Sequence, residues 1–326
     1  MRLASGNALS AVLGAFIVSA IPGVSAQDAY PSRPVRIIVP SGAGAGNDAI
    51  SRMIAQRLTE RWGRSVVVEN RTGAGTVIGS DVVAKAAPDG YTLLMTPSTL
   101  AINPATYKHM PYDGIRDFAP ITHVASVPNL MVVHPSLPVR SVRDMIALAK
   151  AHPGEILYAS AGHGTNPHLT MALFASMANV RMIHVPYKGG PPGVIELIAG
   201  RVAVMATSLN YLLPHVRSGR LRGLGVTSAR RAAAAPEFPT IAEAGVPGYE
   251  SVQWYGMLAP ARTPRHIIDK LHEEVTAFLR SPDTHERLTK DGNEVVASTP
   301  EAFAAFIKAE TLKWAKVVKA AGIEPE

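Results

Sequence analysis

Ser41–Gly46 reads SGAGAG, with glycine at alternate positions and an acid, Asp48, two residues further on. Glycines 42, 44 and 46 leave this turn without bulk, so its backbone N–H groups can approach a ligand closely. A helix opening at Asn47 or Asp48 would add N–H groups with no intrahelical partner and the positive end of its dipole. Together these make an anion site. The plainer alternative is that Asn47 or Asp48 caps the helix and the glycines only close a tight turn. The spacing is not GxGxxG, and no GK[ST] follows, so neither a dinucleotide fingerprint nor a phosphate-binding P-loop is present. Two further small-residue turns occur, Arg71–Gly75 (RTGAG) and Ser160–Thr165 (SAGHGT). These loops offer Ser, Thr, Asn and Gly, with Asp48 as the one acid. Such groups suit recognition of an anion by neutral hydrogen bonds. They do not suit proton transfer, which wants a perturbed acid or base.

Other chemistries lack their constellations. The chain has 11 histidines but no HExxH. His163 and His168 are separated by Gly-Thr-Asn-Pro, which is not a helical ligand pair, and His109, His123, His134, His184 and His215 are isolated. No metal site is expected. Cysteine is absent, which excludes thiol nucleophiles, cysteine–zinc sites, disulfides and a lipoprotein anchor. Ser41-Gly42 and Ser160-Ala161-Gly162 lack the second half of a GxSxG elbow. No cofactor and no enzyme activity are expected. Tyr158, Tyr187, Tyr211, Trp254 and Tyr255 fall near strand ends, where they could wall a cleft or simply pack the core.

The elements that must hold these loops alternate strand and helix. Val35–Val39, Val66–Glu69 and Tyr91–Met95 read as strands, with helices over Ala49–Trp62 and Thr76–Ala87. This rhythm predicts a mainly parallel sheet with right-handed crossovers. The turns Ser41–Gly46, Asn70–Thr76 and Thr96–Thr99 then share the carboxyl end, where ligands bind in such sheets. An irregular stretch follows Pro111, then a strand at Leu130–His134 and a helix at Val142–Lys150 capped by Ser141. A second series runs through strands Leu157–Ser160, Met182–Val185, Val202–Thr207 and Leu224–Val226. Its helices are His168–Met177, Gly193–Ala199 and Leu212–Ser218. Two similar α/β lobes facing across a cleft is the economical arrangement. Arg230–Pro247 reads as surface passage, and Trp254–Ala259 as a strand returning to the first lobe. Helices Arg265–Leu279 and Pro300–Ala320 close the chain. The last combines Phe303, Phe306, Ile307, Glu310, Leu312, Trp314 and Val317 on a helix with one apolar stripe, expected to bury against the first lobe.

The 326 residues allow two domains, and 47% hydrophobic with 17% charged residues fits a sizeable core. Net charge is +7, but the basic residues are spread out, so no nucleic-acid partner is expected and a small anion suits the field equally. Arg2, the apolar run Leu9–Ala20 and the small-x-small site Val24-Ser25-Ala26 have the layout of a secretory signal peptide cleaved near Ala26. Export to a bacterial periplasm follows as the expectation.

Segments in order along almost the whole mature chain then carry a family resemblance. They include YPSRPVRIIVP (30–40), VVVENRTGAG (66–75), AKAAPDGYTLLM (84–95), AINP (101–104), DFAPIT, YASAGHGTNPHL, HVPYKGG, LPHVRSGRLRGLGVTS, PTIAEAGVPGYE and WYGMLAP. The chain resembles the substrate-binding proteins of tripartite tricarboxylate transporters, the Bug/TctC family. That resemblance implies a type II periplasmic-binding-protein fold, with two α/β lobes around a ligand cleft. Residues 27–127 with 247–326 would form lobe 1 and residues 128–246 lobe 2. It also implies a small carboxylate ligand, capture by hinge closure and delivery to inner-membrane transporter subunits. A sensor kinase is the alternative recipient, an enzyme on a two-lobed scaffold is the rival class, and a monomer is expected. Carried over by position, the first loop contributes Ser41, Gly42, Ala43, Gly44 and Asp48. Ser98 and Asn103 follow the third strand, and Ser160, Gly162, Gly164 and Thr165 face them from lobe 2. His168 matches the family's HL and Tyr187 its PY. Two departures remove acids: Met171-Ala172-Leu173-Phe174 stands where many relatives read a GELF-like segment, and Ala206-Thr207 where many have FD. The expected ligand therefore carries no ammonium group, and is a plain mono- or dicarboxylate that can bear an apolar or aromatic body.

Overall fold

The computed structural model describes Met1 and residues 30–325. The expected signal peptide therefore lies, apart from Met1, outside the described residues. None of the described helices is long and apolar enough to cross a membrane.

The first half opens with β1 (Val35–Val39), α1 (Gly46–Trp62) and β2 (Val66–Asn70). A short 3-10 turn, Ala74–Thr76, runs into α2 (Val77–Ala84), then β3 (Thr92–Pro97) and α3 (Thr99–Thr106). The chain continues through β4 (Phe118–Val133), a strand of 16 residues, to α4 (Val142–Ala151). Next come β5 (Leu157–Ser160), α5 (Asn166–Met177), β6 (Ile183–Pro186) and α6 (Gly190–Ile198). They are followed by β7 (Val204–Ser208), α7 (Leu209–Arg217) and β8 (Arg222–Val226). The chain returns through β9 (Val252–Pro260) to α8 (Arg265–Leu279), α9 (Pro282–Lys290), β10 (Glu294–Val295) and α10 (Pro300–Ala320).

The strands lie in the order β2-β1-β3-β9-β4-β7-β5-β6, with β8 and β10 also pairing to β4. β1 is parallel to β2 and β3, and β5 is parallel to β6 and β7. The glycine loops after β1, β2 and β5 thus leave carboxyl ends, as the βα alternation predicts. β4 is shared by both halves. Its residues Phe118–Pro128 pair antiparallel with β9, whereas Asn129–Val133 pair with β7 and β8. Proline cannot donate to a ladder, and the register slips beside Pro120.

Each half is a sheet sandwiched by helices. In the first, α1 and α8 bury Ile54, Leu58, Leu271 and Val275 against Val39 and Met95. On its other face α3 and α10 bury Leu100, Phe303 and Trp314 against Leu94, Trp254 and Leu258. In the second, Val142 of α4 and Phe174 of α5 cover Met131 and Val204, while Leu197 of α6 and Leu212 of α7 cover Val132 and Met205. α10 packs on α3 and β4, as its stripe predicts, but also on α5 of the second half, so it braces both. Leu312, expected with that stripe, is instead exposed, because its side of the helix faces away from the core.

The long first part of β4 stands where an irregular stretch is expected. Buried on both sides for most of its length, it shows no alternation of apolar and polar residues, and its two prolines disguise it. α3 and α9 also escape sequence reading. α3 holds Pro104 and several β-branched residues, and α9 is short and strongly polar.

Candidate functional site

The first glycine loop is exposed from Gly42 to Gly44 and tied down from behind. Asn47 and Asp48, in the first turn of α1, are both buried. Asn47 Nδ2 donates to Ser41 Oγ at 3.1 Å and to the Met95 carbonyl at 3.2 Å. Asp48 Oδ2 accepts the Gly44 N–H at 2.9 Å and Arg52 Nε at 3.0 Å, while Oδ1 accepts Asn70 Nδ2 at 2.9 Å. Asn70 Nδ2 also reaches the Ser41 carbonyl at 2.9 Å. Burial alone would raise the Asp48 pKa. The hydrogen bonds from Arg52, Gly44 and Asn70, with the Arg52 charge, win and hold it below the usual carboxylate value. Asp48 is therefore a fixed anion that orders the loop. Among the described residues the N–H groups of Gly42 and Ala43 donate to no protein acceptor. A Cβ built on Gly42 or Gly44 would meet nothing within 4 Å, so the front of the loop is open. At Gly46, by contrast, a Cβ would run into the Tyr255 hydroxyl at 2.3 Å, which explains the third glycine by packing.

The loop Ser160–Thr165 repeats this plan in the second half. Gly164 N–H donates to His168 Nδ1 at 3.1 Å, again four residues on. Ser160 Oγ accepts the Gly162 N–H at 3.0 Å and lies 2.6 Å from His184 Nε2. Thr165 Oγ1 donates to the Gly162 carbonyl at 2.7 Å. Gly162 and Gly164 have φ of 128° and 66°, the region that favours glycine. The His168 and His184 rings stack at 3.7 Å and 7°, with Tyr158 parallel to the pair. Burial, then the neighbouring His184 and His163, lowers the His168 pKa to about 3. Burial, then His163, lowers that of His184 to about 4. His168 is thus neutral with a bare Nδ1, as its role of acceptor from Gly164 requires. Sequence separation hides this cluster. No group of three or more histidines and carboxylates among the described residues is arranged to hold a metal ion.

The remaining expected residues are spread around these two loops. Ser98 and Asn103 are buried. Ser98 Oγ hydrogen-bonds Gln253 of β9, and Asn103 Nδ2 donates to the Gly75 carbonyl at 2.9 Å. Asn103 shares a cavity of about 30 Å³ with Gly75 and Thr106 on one side and Gly164 and Thr165 on the other. Here the halves meet: a Cβ on Gly164 would lie 3.2 Å from that of Thr106. Tyr187 supplies the next loop, its N–H donating to the Ser160 carbonyl at 3.2 Å. Thr207 is buried near the carboxyl end of β7, paired with Leu130 of β4.

Behind the loops lies a polar cluster that the sequence reading misses. Asn129 stands where β4 changes partners. Its N–H donates to Thr227 Oγ1 at 2.9 Å, and its Nδ2 to Asn166 Oδ1 at 2.9 Å and Thr170 Oγ1 at 3.3 Å. Thr170 Oγ1 meets Ser251 Oγ at 2.6 Å, and Asn166 Nδ2 donates to the Val252 carbonyl at 3.3 Å. All five side chains are buried. They knot both crossing segments to the start of α5, which carries the second glycine loop. An asparagine within the apolar run VPNLMVV is the signal that could have pointed there.

Two α/β halves joined by crossing strands, with small-residue loops at facing carboxyl ends, define a type II periplasmic-binding-protein fold. Within that class, the model of the tripartite tricarboxylate transporter family receptor matches residues 50–323, and the chain belongs to that family. It is 38% identical over 317 residues to BugT of Bordetella pertussis, covering 96% of this chain and 97% of that one. Among solved structures it is similar to Rpa4515 of R. palustris with adipate. That match has 39% identity and a TM-score of 0.81, covering 91% of this chain and 100% of the other. It is also similar to MatC of Rhodopseudomonas palustris with bound malate, at 28% identity and a TM-score of 0.75, covering 89% and 100%.

Proposed function

We propose that this receptor captures a small carboxylate in the cleft between its halves, by hinge closure, and hands it to a tripartite tricarboxylate-type membrane transporter from the periplasm. The lobes are residues 27–127 with 247–326, and residues 128–246, and the exported protein works as a monomer. The observation that carries the reading is the pair of glycine loops, each at the start of a helix and each held by a side chain four residues beyond a glycine. In the first, the N–H groups of Gly42 and Ala43 donate to no protein acceptor among the described residues and remain available to a ligand. Closure about Asn129 and Ser251 brings this loop toward Ser160–Thr165 and surrounds one carboxylate with donors from both lobes. Ser98, Asn103, Tyr187 and Thr207 shape the cleft around it. Adipate and malate in the relatives support a carboxylate here. Asp48 and His168 are committed to loop order, which favours binding over catalysis.

The test is calorimetric titration of the mature protein against mono- and dicarboxylates, with amines and cationic amino acids in parallel. Carboxylate binding without turnover is expected. Tight binding of a cationic amino acid, with none of simple acids, would overturn the proposal.

A further inference from the structure

A cavity of about 480 Å³ opens between the halves beside the first glycine loop. Gly44 and α1 form one wall, α7 of the second half faces it, and the turn after α9 closes the third side. Its floor is apolar, with Ile50, Leu213 and Leu288 all buried. Its charged lining is mostly positive: Arg217, Arg287 and Lys290 against Asp291. Lys290 is satisfied by Glu286 at 2.6 Å. Arg217 and Arg287 form no ion pair among the described residues. Arg217 comes from α7 of the second half and Arg287 from α9 of the first, so an arginine from each half lines the same space. Such a volume is within the range of small-ligand sites, and an apolar floor with a few convergent polar groups is their usual character.

We infer that this cavity takes the far end of the bound solute, and that Arg217 and Arg287 select a second anionic group separated from the first carboxylate by an apolar spacer. The inference rests on the carboxylate reading of the glycine loop. Gly44 is the link: it belongs to that loop, lines the cavity, and leaves open space where a side chain would stand. A solute anchored at Gly42–Gly44 can run its apolar body over Ile50 and Leu213 toward the two guanidinium groups. The planar donor fork of arginine matches a carboxylate there. Because the arginines sit on opposite halves, a dianion also bridges the closed form at a second point.

The experiment is calorimetric titration of the wild type, Arg217→Gln, Arg287→Gln and the double variant. The probes are α,ω-dicarboxylates of graded chain length, the monocarboxylates of matching length and the half-amides of the diacids. The wild type should prefer a diacid of suitable length over its monoacid and half-amide by about tenfold, the scale of one charged hydrogen-bonded contact. The double variant should lose most of that preference while keeping its affinity for the monoacid, and Arg217→Glu should weaken the diacid further. Unaltered melting temperatures without ligand would show that folding is not at issue. Diacid preference that survives in the double variant, or an equal loss for monoacid and diacid, overturns the inference and leaves the carboxylate reading standing. Failure of the wild type to bind any of the acids overturns both.

Discussion

Replacing His168 by Phe separates the ring's packing from its chemistry. Phe can keep the stack with His184 and Tyr158 but offers no acceptor to Gly164. In the native protein His168 has its pKa lowered from 6.5 to about 3 by burial first, then by His184 and His163. Unfolded, the side chain returns to its ordinary value near 6.5. Between those values the unfolded chain binds a proton that the native protein refuses, so stability is complete above about pH 6.5 and lost as pH falls. At pH 5, about 1.5 units below the unfolded value, the loss is about 2 kcal/mol at 1.36 kcal/mol per unit. At pH 7.5 it is negligible. The Phe variant has no such proton at either pH. It does lose the 3.1 Å Gly164 hydrogen bond, at about 1 kcal/mol.

The two effects have opposite signs, so the comparison should cross over. His168→Phe should be less stable than the parent by about 1 kcal/mol at pH 7.5 and more stable by a similar amount at pH 5. Urea unfolding without ligand at both pH values reads this directly. His123 and His184, whose pKa values burial likewise lowers to about 4, titrate in both proteins and largely cancel in the difference. The same pH dependence in parent and variant would refute the assignment of a buried, neutral His168. A loosened Gly164 should also weaken carboxylate binding about fivefold at pH 7.5, in keeping with 1 kcal/mol.

Asp48→Ala deletes the acceptor for Gly44, Arg52 and Asn70, and should weaken carboxylate binding about tenfold in a protein that still folds. Unchanged affinity by calorimetry would show that loop order does not govern binding. Gly256→Ala places a Cβ about 2.0 Å from the Phe303 ring and should cost about 2 kcal/mol. Adding Phe303→Leu should recover part of that in a double-mutant cycle, and independent effects would contradict the packing described. Asn129→Ala leaves Asn166 and Thr170 short of a donor and should cost about 1–2 kcal/mol in urea unfolding; a negligible change would mean that the knot between the crossing strands contributes little.

The parts of the fold that announce themselves in sequence are those whose physics is local. Val35–Val39, the glycine turn behind it and α1 follow from a short apolar run, alternating glycines and helical periodicity. The terminal helices follow from Pro264, Thr299 and one apolar stripe. What escapes is decided by distant partners. Phe118–Pro128 is a strand because β9 returns from more than a hundred residues away to pair with it, and no window of sequence contains both. Asn129, Thr170 and Ser251 form a network only once the crossing strands and α5 converge. His168 and His184 stack because parallel β5 and β6 set Tyr158 beside His184. Sequence reading could place His168 beside the second loop. It could not find the ring that keeps His168 neutral.

That neutrality bears on how an acid, Asp48, can stand so close to the proposed anion site. Each glycine loop needs an acceptor four residues beyond a glycine N–H to hold its shape. In the first loop the acceptor is a carboxylate, and its charge is met by Arg52 and two amide donors at its own back. In the second it is an imidazole held uncharged by burial and stacking. A second buried aspartate at 168 would lack an arginine like Arg52: His163 and His184 are the titratable groups beside this position, and His184 is held neutral too. In the proposed closed form its negative charge would face the bound carboxylate from the opposite lobe, where water is excluded and repulsion is least screened. Using a charged acceptor where a cation backs it, and a neutral one where none does, orders both loops while leaving the space between them free of uncompensated negative charge.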